Sequence, residues 1–347
     1  MLELGPVYGR IIAKRLWSRL HHELCEWLKV FVVPTALFSA LSLWSPDFYP
    51  LEPLLYFQVQ YFWIGVCGSI YYLLQRRTVW VALSIFCVIA NLRIVYIGLA
   101  TQSLPPVPNP ISTFRALVFN VHTSNSRYQE ALAFIREERP NIIAVIEVDE
   151  NWLRSLSSLA DILPHSITSS RNHDNFGIAL YSAYPLQNSE IKLFSDVGVP
   201  SISAGIEINT QRIKIIATHP LPADSLAYSI ERDIHLERLR EHILSLKEPV
   251  LLLGDLNVVS WSPIFERFIE GTGLNNAREG FGIIPTWPAW PMLLYPFMIP
   301  IDHCLVSQEL RVKNIYRKFV RGSDHAALVV DLAVTYFGIA SSPKVSK

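Results

Sequence analysis

Residues 251–257, Leu-Leu-Leu-Gly-Asp-Leu-Asn, join an apolar run directly to a polar pair. The apolar part, residues 249–253, predicts a buried β-strand, and Gly254 is expected to let the chain turn at its end. Because side chains i and i+2 of a strand point to the same side, the Asp255 carboxylate and the Asn257 carboxamide should project together. Such a pair can hold a water molecule and can donate to an anionic oxygen through the amide group. A plain strand and turn explains the motif alone equally well. The rest of the chain is needed to choose between that interpretation and a catalytic one.

The composition is too apolar for an ordinary soluble enzyme. Half of the 347 residues are hydrophobic, 17% are charged, and the mean hydropathy is +0.27. This length suffices for two domains, and the apolar excess in residues 28–100 suggests a membrane portion. Beyond residue 112 the chain holds 22 Lys and Arg against 25 Asp and Glu. That part lacks the broad basic surface of tight duplex-binding proteins, although a nuclease with a local basic groove remains open.

Three apolar runs, residues 28–44, 53–74 and 78–99, approach the length of about 20 residues that a membrane helix needs. Buried helices of a soluble domain are the alternative interpretation. Residues 11–28 are amphipathic and are predicted to lie on the inner membrane surface. The predicted organisation is therefore a membrane region at 1–104, a Pro-rich linker at 105–112, a separate domain at 113–335 and a tail at 336–347.

Charges flanking the apolar runs predict an orientation. Basic residues precede the first run, Asp47 and Glu52 lie in the first loop, and Arg76 and Arg77 lie in the second. Because cytoplasmic loops carry an excess of Lys and Arg, the N-terminus and the second loop should be cytoplasmic. The C-terminal domain is then predicted to face outward, in the periplasm if the membrane is a bacterial inner membrane.

The C-terminal part alternates apolar strands with helical periodicity. Helices are predicted over 127–138 and 225–246, and strands over 116–121, 142–148, 176–182, 201–208, 212–218, 249–253, 301–306 and 326–334. Mostly apolar strands with intervening helices are typical of an α/β layered core.

Polar side chains recur where these strands begin or end. They are Asn120, Glu147, His219, Asp255, Asn257, Asp302, Asp324 and His325. Taken singly, each has an ordinary explanation, as a strand cap, a turn residue or a loop residue. Ionisable groups are costly beside buried strands, however, so their repetition predicts one cluster on one rim of the domain.

The motifs carrying these residues occur in a specific order. They are Phe-Asn120-Val, Ile-Glu147-Val, Thr-His219-Pro, Gly254-Asp-Leu-Asn257, Ile-Asp302-His and Ser323-Asp-His325. This order resembles the endonuclease/exonuclease/phosphatase superfamily, which includes deoxyribonuclease-I-like nucleases, neutral sphingomyelinases and inositol-polyphosphate 5-phosphatases. The resemblance covers about residues 113–335. It implies an α/β (α+β) four-layer sandwich of two mixed β-sheets flanked by helices, preceded here by the transmembrane helical region. It also implies hydrolysis of phosphoesters with Mg²⁺, or Mn²⁺ in its place.

The resemblance also implies a metal site. Glu147 is the first candidate ligand, assisted by Asp324 and Asn120. These side chains supply the oxygen ligands that Mg²⁺ prefers, and one or two carboxylates suffice because the ion keeps several waters.

The remaining motif residues acquire roles in catalysis through the same resemblance. Asp255 is expected to orient or deprotonate the attacking water. Asn257 and His219 are expected to hydrogen-bond the phosphate oxygens as negative charge develops on them. His325 would be a second phosphate-facing histidine, and Asp302 would fix its ring and raise its pKa.

The substrate is open among a nucleic acid, a phospholipid head group and a small phosphate ester. The apolar loop 287–301 is expected either to touch lipid or an apolar substrate, or to pack on the core of its own domain. The lipid bilayer is the expected partner, and no obligate protein partner is predicted. A catalytically silent, membrane-tethered binding or sensor domain is the alternative function.

Overall fold

The computed structural model describes residues 29–44, 49–99, 110 and 112–335. The predicted amphipathic segment 11–28, most of the Pro-rich linker and the tail 336–347 lie outside the described residues. The chain divides into two compact units. One comprises residues 1–46 and 57–96, and the other comprises residues 47–56 and 97–347.

The first unit contains three apolar helices, one in each predicted run. They are α1 (Lys29–Leu43), α2 (Gln58–Leu74) and α3 (Thr78–Leu99). Within the described ranges, one stretch, Thr78–Tyr96, is long and apolar enough to cross a membrane by length and composition. The second predicted run begins at residue 53, whereas α2 begins at Gln58, because residues 53–56 pack in the other unit.

Small and polar residues join these helices. A Cβ added at Gly65 of α2 would lie 2.8 Å from the Ser84 carbonyl oxygen of α3, so the glycine allows the two backbones to approach closely. The Asn91 amide of α3 donates to Ser39 Oγ of α1 over 2.8 Å. Close backbone contact and an interhelical hydrogen bond therefore hold these helices together.

The second unit is built on two six-stranded sheets. Its strands are β1 (Ser112–Asn120), β2 (Ile142–Ile146), β3 (His165–Ser169), β4 (Ile178–Ser182), β5 (Gln187–Leu193), β6 (Pro200–Ile208), β7 (Gln211–Thr218), β8 (Val250–Asp255), β9 (Asn275–Asn276), β10 (Asp302–Val306), β11 (Leu310–Phe319) and β12 (Ala326–Val334). The orders are β11-β12-β1-β2-β4-β3 and β5-β6-β7-β8-β10-β9. Each sheet is mixed: β1 and β2 are parallel, as are β7 and β8, and the other pairs are antiparallel.

The two sheets pack face to face and helices cover their outer faces. The covering helices are α4 (Tyr128–Glu138), α5 (Glu150–Leu156), α6 (Leu226–Ser245) and α7 (Pro263–Thr272). Alternation along β1 shows how the sequence produces this: Ala116 and Val118 enter the core between the sheets, whereas Leu117 and Phe119 pack beneath the helices. Removing both faces from water provides the main driving force for the arrangement. The predicted four-layer sandwich of two mixed sheets is confirmed.

Four strands that the apolar runs do not predict are β3, β5, β9 and β11. They are the terminal strands of the two sheets: β11 and β3 end one sheet, and β5 and β9 end the other. Almost every side chain of β5 is exposed, and β11 carries several charged residues. Terminal strands are commonly charged and polar because this discourages pairing with other chains.

Candidate active site

The polar residues predicted from the sequence meet at one rim of the sandwich. The carboxyl ends of β1, β2, β7 and β8 reach this rim. Asp302, at the start of β10, pairs directly with Asp255, at the end of β8. The start of β12 lies at the end of β1 because those two strands are antiparallel. Strand direction alone therefore brings together side chains that are up to 205 residues apart in sequence.

A buried chain of acid, base and acid forms the centre of the rim. His325 Nδ1 lies 2.9 Å from Asp302 Oδ2, and His325 Nε2 lies 3.7 Å from Asp255 Oδ2. All three residues are buried. Burial lowers the pKa of His325, but the Asp302 carboxylate outweighs this effect and raises the pKa to about 10. Burial by itself would raise the pKa of Asp302. The charge of His325 and its hydrogen bond lower that pKa, and the net shift is downward.

Asp255 has the opposite character. Burial, and then the nearby Asp302 carboxylate, raise the pKa of Asp255 to about 8. The His325 imidazolium and the Asn257 backbone N–H lower it in part. A carboxyl group whose pKa lies near the working pH is suited to exchange a proton with water, as a general base must.

Asn120 and Glu147 adjoin Asp255. The Asn120 amide donates to Glu147 Oε1 over 2.9 Å and lies 3.4 Å from Asp255 Oδ2. Glu147 follows β2 directly with φ = 64°, and Thr123 holds it by donating from Oγ1 to its carbonyl oxygen and from N to its carboxylate. A positive φ is strained for a residue with a side chain, and such strain often occurs at functional positions. Burial raises the pKa of Glu147.

Asp324 lies at the more exposed mouth of the rim. The Asp324 Oδ1 atom is 3.3 Å from His122 Nδ1. The same His122 nitrogen is 3.7 Å from Glu147 Oε2. Trp287 Nε1 donates to Asp324 Oδ2 over 3.0 Å. The sequence interpretation missed His122 and Trp287. His122 stands two residues after Asn120, beyond the end of β1 and with a positive φ of 61°, where strand alternation no longer indicates the direction of a side chain.

Two sets of residues offer ligands for a cation. One ligand atom from each of Asp255, Asp302 and His325 falls within 4.8 Å of the others. His325 is the weaker candidate there, because its raised pKa favours the imidazolium form, which has no free lone pair. In the set predicted from the sequence, Glu147 and Asp324 offer carboxylate oxygens of the kind Mg²⁺ prefers, whereas Asn120 turns its NH₂ group to Glu147 and its Oδ1 accepts from the His122 backbone N–H. Each set has one carboxylate oxygen without a hydrogen bond, Asp324 Oδ1 in this set and Asp302 Oδ1 in the other; this set fits a hard cation better because it contains no imidazole.

His219 directly follows β7, the neighbour of β8 in the second sheet, and lies beside Asp255. Its Nε2 lies 3.8 Å from Asp255 Oδ2, and the Phe176 ring packs against the imidazole with centroids 5.2 Å apart. Burial, and then the charge of His325, lower the pKa of His219 to about 3. The imidazole is therefore neutral and can donate one hydrogen bond to an incoming oxygen.

The Gly-Asp-Leu-Asn motif differs in two ways from its predicted geometry. Gly254 makes no turn: it lies within β8, and a Cβ there would stand 2.1 Å from the Thr218 carbonyl oxygen of β7, so the glycine permits close strand contact. Asn257 has already left the strand, with φ = 53°. Alternation therefore does not set its direction. Its amide donates to the Pro220 carbonyl oxygen, and its backbone N–H donates to Asp255 Oδ1 over 3.0 Å.

The apolar loop 287–301 is partly buried and partly exposed. Ala289, Met298 and Ile299 are buried, and the backbone N–H of Ala289 donates to the Asp324 carbonyl oxygen. Other apolar side chains of the loop stand exposed to solvent, namely Trp290, Met292, Leu293 and Phe297. One part of the loop thus supports the rim while another presents an apolar surface next to it.

A model of the endonuclease/exonuclease/phosphatase family matches residues 117–325, more than half of the chain. No curated protein is similar enough to count as a match. Similar solved structures include an endonuclease/exonuclease/phosphatase from Beutenbergia cavernae, the human Nocturnin catalytic domain with bound sulfate, and the 3′ phosphatase NExo from Neisseria bound to product DNA hairpin. Their identities are 18%, 19% and 18%, with TM-scores of 0.54, 0.52 and 0.52. The alignments cover 66%, 64% and 62% of this chain and 73%, 95% and 98% of the other.

Proposed function

Because the chain belongs to the endonuclease/exonuclease/phosphatase family, we propose that it is a metal-dependent phosphoester hydrolase. The observation that carries the proposal is the buried contact of Asp302, His325 and Asp255 beside the Asn120–Glu147 pair. A protein that used this rim only for binding would have little need for two buried carboxylates around an imidazolium, because isolated buried charges are costly.

Each rim residue has a separate proposed role in the attack of water on phosphorus. Asp255 orients a water molecule and accepts its proton. His325, kept cationic by Asp302, donates from Nε2 to a phosphoryl oxygen as negative charge develops there. His219 provides a second, neutral donor. Asn257 stays in the proposal as a further contact to phosphate, although its amide here donates to Pro220.

Glu147, Asp324 and Asn120 would hold the cation, for which we propose Mg²⁺, with Mn²⁺ as an alternative. A bound Mg²⁺ would polarise the phosphoryl oxygen and stabilise the leaving oxygen. The protein residues would supply the carboxylate charge, and His122 would hold the two carboxylates in place from between them.

The full-length chain is expected to hydrolyse bis-p-nitrophenyl phosphate in Mg²⁺, to lose turnover in EDTA and to regain it when Mg²⁺ is restored. Glu147→Gln is expected to raise the Mg²⁺ concentration at half-maximal rate by about tenfold or more, because one carboxylate ligand is lost. Glu150→Gln, on the exposed surface of α5, is the matched control. A well-folded chain without turnover of any phosphoester would instead support the silent binding or sensor domain.

Substrate class is best separated by a panel of DNA, RNA, phospholipid and sugar-phosphate esters. Neighbouring structures include one bound to a DNA hairpin, which supports a nucleic acid. The exposed apolar side chains of loop 287–301 and the slight acidic excess of this part of the chain favour an ester with an apolar portion. We therefore expect the phospholipid ester to be hydrolysed faster than duplex DNA in the same panel.

We further propose that the chain is anchored in a bacterial inner membrane with the sandwich on the periplasmic side. The flanking charges support this proposal: the sequence between α1 and α2 carries Asp47 and Glu52 and no Lys or Arg, whereas Arg76 and Arg77 lie between α2 and α3.

A C-terminal reporter enzyme that is active only outside the cytoplasm tests this orientation. We expect an active fusion, because the basic residues at Arg76 and Arg77 favour the cytoplasmic side. A reporter active only inside the cytoplasm serves as the matched control and should be silent. The reverse pattern would overturn the orientation.

A further inference from the structure

Residues Glu52–Tyr56, here called the strap, lie between two apolar helices in sequence but are part of the C-terminal unit. They occupy most of the 3₁₀ helix Glu52–Phe57. Glu52 and Leu55 are only 1% and 2% exposed. A charged residue so deeply buried in a loop between apolar helices indicates a specific partner.

That partner is Arg232 of α6, which is itself fully buried. Arg232 donates from Nη1 to Glu52 Oε1 over 2.8 Å and from Nη2 to Glu52 Oε2 over 2.6 Å. Asp233 accepts a further hydrogen bond from the same guanidinium. A two-pronged arginine–carboxylate pair fixes direction as well as distance. A buried pair of this kind is no more stabilising than apolar residues of similar size, so its value lies in the geometry it imposes.

Tyr56, the last residue of the strap, connects Glu52 to Asn257 of the Gly-Asp-Leu-Asn motif. Tyr56 Oη lies 3.1 Å from the Asn257 carbonyl oxygen and 2.9 Å from Glu52 Oε1, both of which can accept its proton. Arg232 Nη1 donates to the same hydroxyl over 3.3 Å. Four residues beyond Asn257, Trp261 Nε1 donates to the Leu55 carbonyl oxygen over 2.7 Å. The strap therefore contacts the chain at two points after β8.

The backbone conformation of Asn257 needs support from its surroundings. Its φ of 53° is in the left-handed region, which costs free energy for a residue with a side chain unless its surroundings hold it. In this conformation its N–H reaches Asp255 Oδ1. Whatever holds Asn257 thereby also holds one oxygen of the proposed base.

We propose that Tyr56 is a positioning residue of the active site, and that the Glu52–Arg232 pair holds Tyr56 against Asn257. The proposal rests on the proposed hydrolase function. It means that a residue 201 positions away from Asn257 in sequence, outside the part of the chain that the family model matches, supports the segment that directly follows Asp255. Tyr56 touches no reacting atom; it acts through the backbone of Asn257.

The test is Tyr56→Phe in the full-length chain, with Tyr228→Phe, a more exposed tyrosine of α6, as the matched control. Two quantities are measured: kcat and KM for bis-p-nitrophenyl phosphate, and amide hydrogen exchange of peptides covering residues 254–258. We expect kcat to fall roughly three- to tenfold, the loss of one hydrogen bond, with KM unchanged and exchange of 254–258 accelerated. Tyr228→Phe should change neither.

Unchanged exchange at 254–258, or faster exchange with an unaltered kcat, would overturn the positioning role. Hydrogen exchange does not depend on turnover, so it separates failure of this proposal from failure of the hydrolase function. An inactive wild-type chain would refute the function alone, while exchange would still show whether Tyr56 holds the loop.

A second pair of variants tests the support behind Tyr56. Glu52→Gln removes the buried partner of Arg232, and Asp233→Asn removes the partly exposed one. We expect Glu52→Gln to accelerate exchange at 254–258 and to lower kcat, and Asp233→Asn to leave both within about twofold because the Asp233 side chain is 41% exposed and an exposed carboxylate contributes little to an ion pair. Equal effects of the two variants would contradict the inference that Glu52 is the residue that holds Tyr56.

Discussion

Asp255→Asn is expected to lower kcat for phosphoester hydrolysis by roughly 10²- to 10⁴-fold, the usual contribution of a positioned general base. Asparagine keeps the size of the side chain and can still accept the hydrogen bond from the Asn257 N–H. It cannot take a proton from water. The loss should therefore appear in kcat rather than in KM, measured with bis-p-nitrophenyl phosphate at saturating Mg²⁺.

The same variant is expected to unfold at an unchanged or higher temperature. Burial and Asp302 raise the pKa of Asp255 to about 8, well above its unfolded value of about 4. A carboxyl group with a raised folded pKa stabilises the fold at low pH, and this contribution is lost as the pH rises from about 4 to about 8. An uncharged amide avoids that loss, so thermal unfolding at pH 8 in EDTA should show no destabilisation.

Opposite changes in activity and stability would identify Asp255 as a residue kept for catalysis. Asp161→Asn is the control, because Asp161 pairs with Arg136 on the surface, away from the rim, and should leave kcat unchanged. If Asp255→Asn retained full turnover, the proposed base would be wrong. If it lost activity and unfolded at a much lower temperature, the effect would be structural.

Much of the rim follows from sequence because it depends on strand direction. Asn120, Glu147 and Asp255 sit at the ends of apolar runs, and an apolar run reports a buried strand wherever its partners lie. The sequence does not predict His122 as a site residue because it lies beyond the end of the strand, where the apolar periodicity has stopped. Asn257 also lies beyond its strand, and the alternation that relates i to i+2 fails once the backbone enters the left-handed region.

The strap shows a deeper limit of sequence reasoning. Glu52 was interpreted as an acidic marker in a loop between membrane helices, and residues 53–56 as the beginning of a span. Both interpretations use local composition, whereas the partner, Arg232, is 180 residues away. Local patterns report the type of an element and the face it buries; they do not report which distant side chain neutralises a buried charge.

His325→Gln is expected to reduce both activity and stability. His325 stands between Asp302, at 2.9 Å, and Asp255, at 3.7 Å. Without the imidazolium these two buried carboxylates face each other with no cation between them. Removing one partner of a buried pair costs about 3–5 kcal/mol, and losing a donor to the developing phosphate charge costs roughly 10²- to 10³-fold in kcat. Thermal unfolding and steady-state kinetics of the full-length chain measure the two losses.

Asp302→Asn separates the two contributions of His325. That variant leaves the imidazole beside Asp255 but removes the carboxylate that holds its ring and its proton. It should therefore lose less stability than His325→Gln, because it also relieves the repulsion between Asp302 and Asp255, while kcat still falls because the donor is no longer fixed. His242→Gln, a half-buried histidine of α6, is the matched control and should retain kcat. A His325→Gln chain that unfolds early yet turns over normally would make His325 a structural cation, and the donor to phosphate would have to be His219.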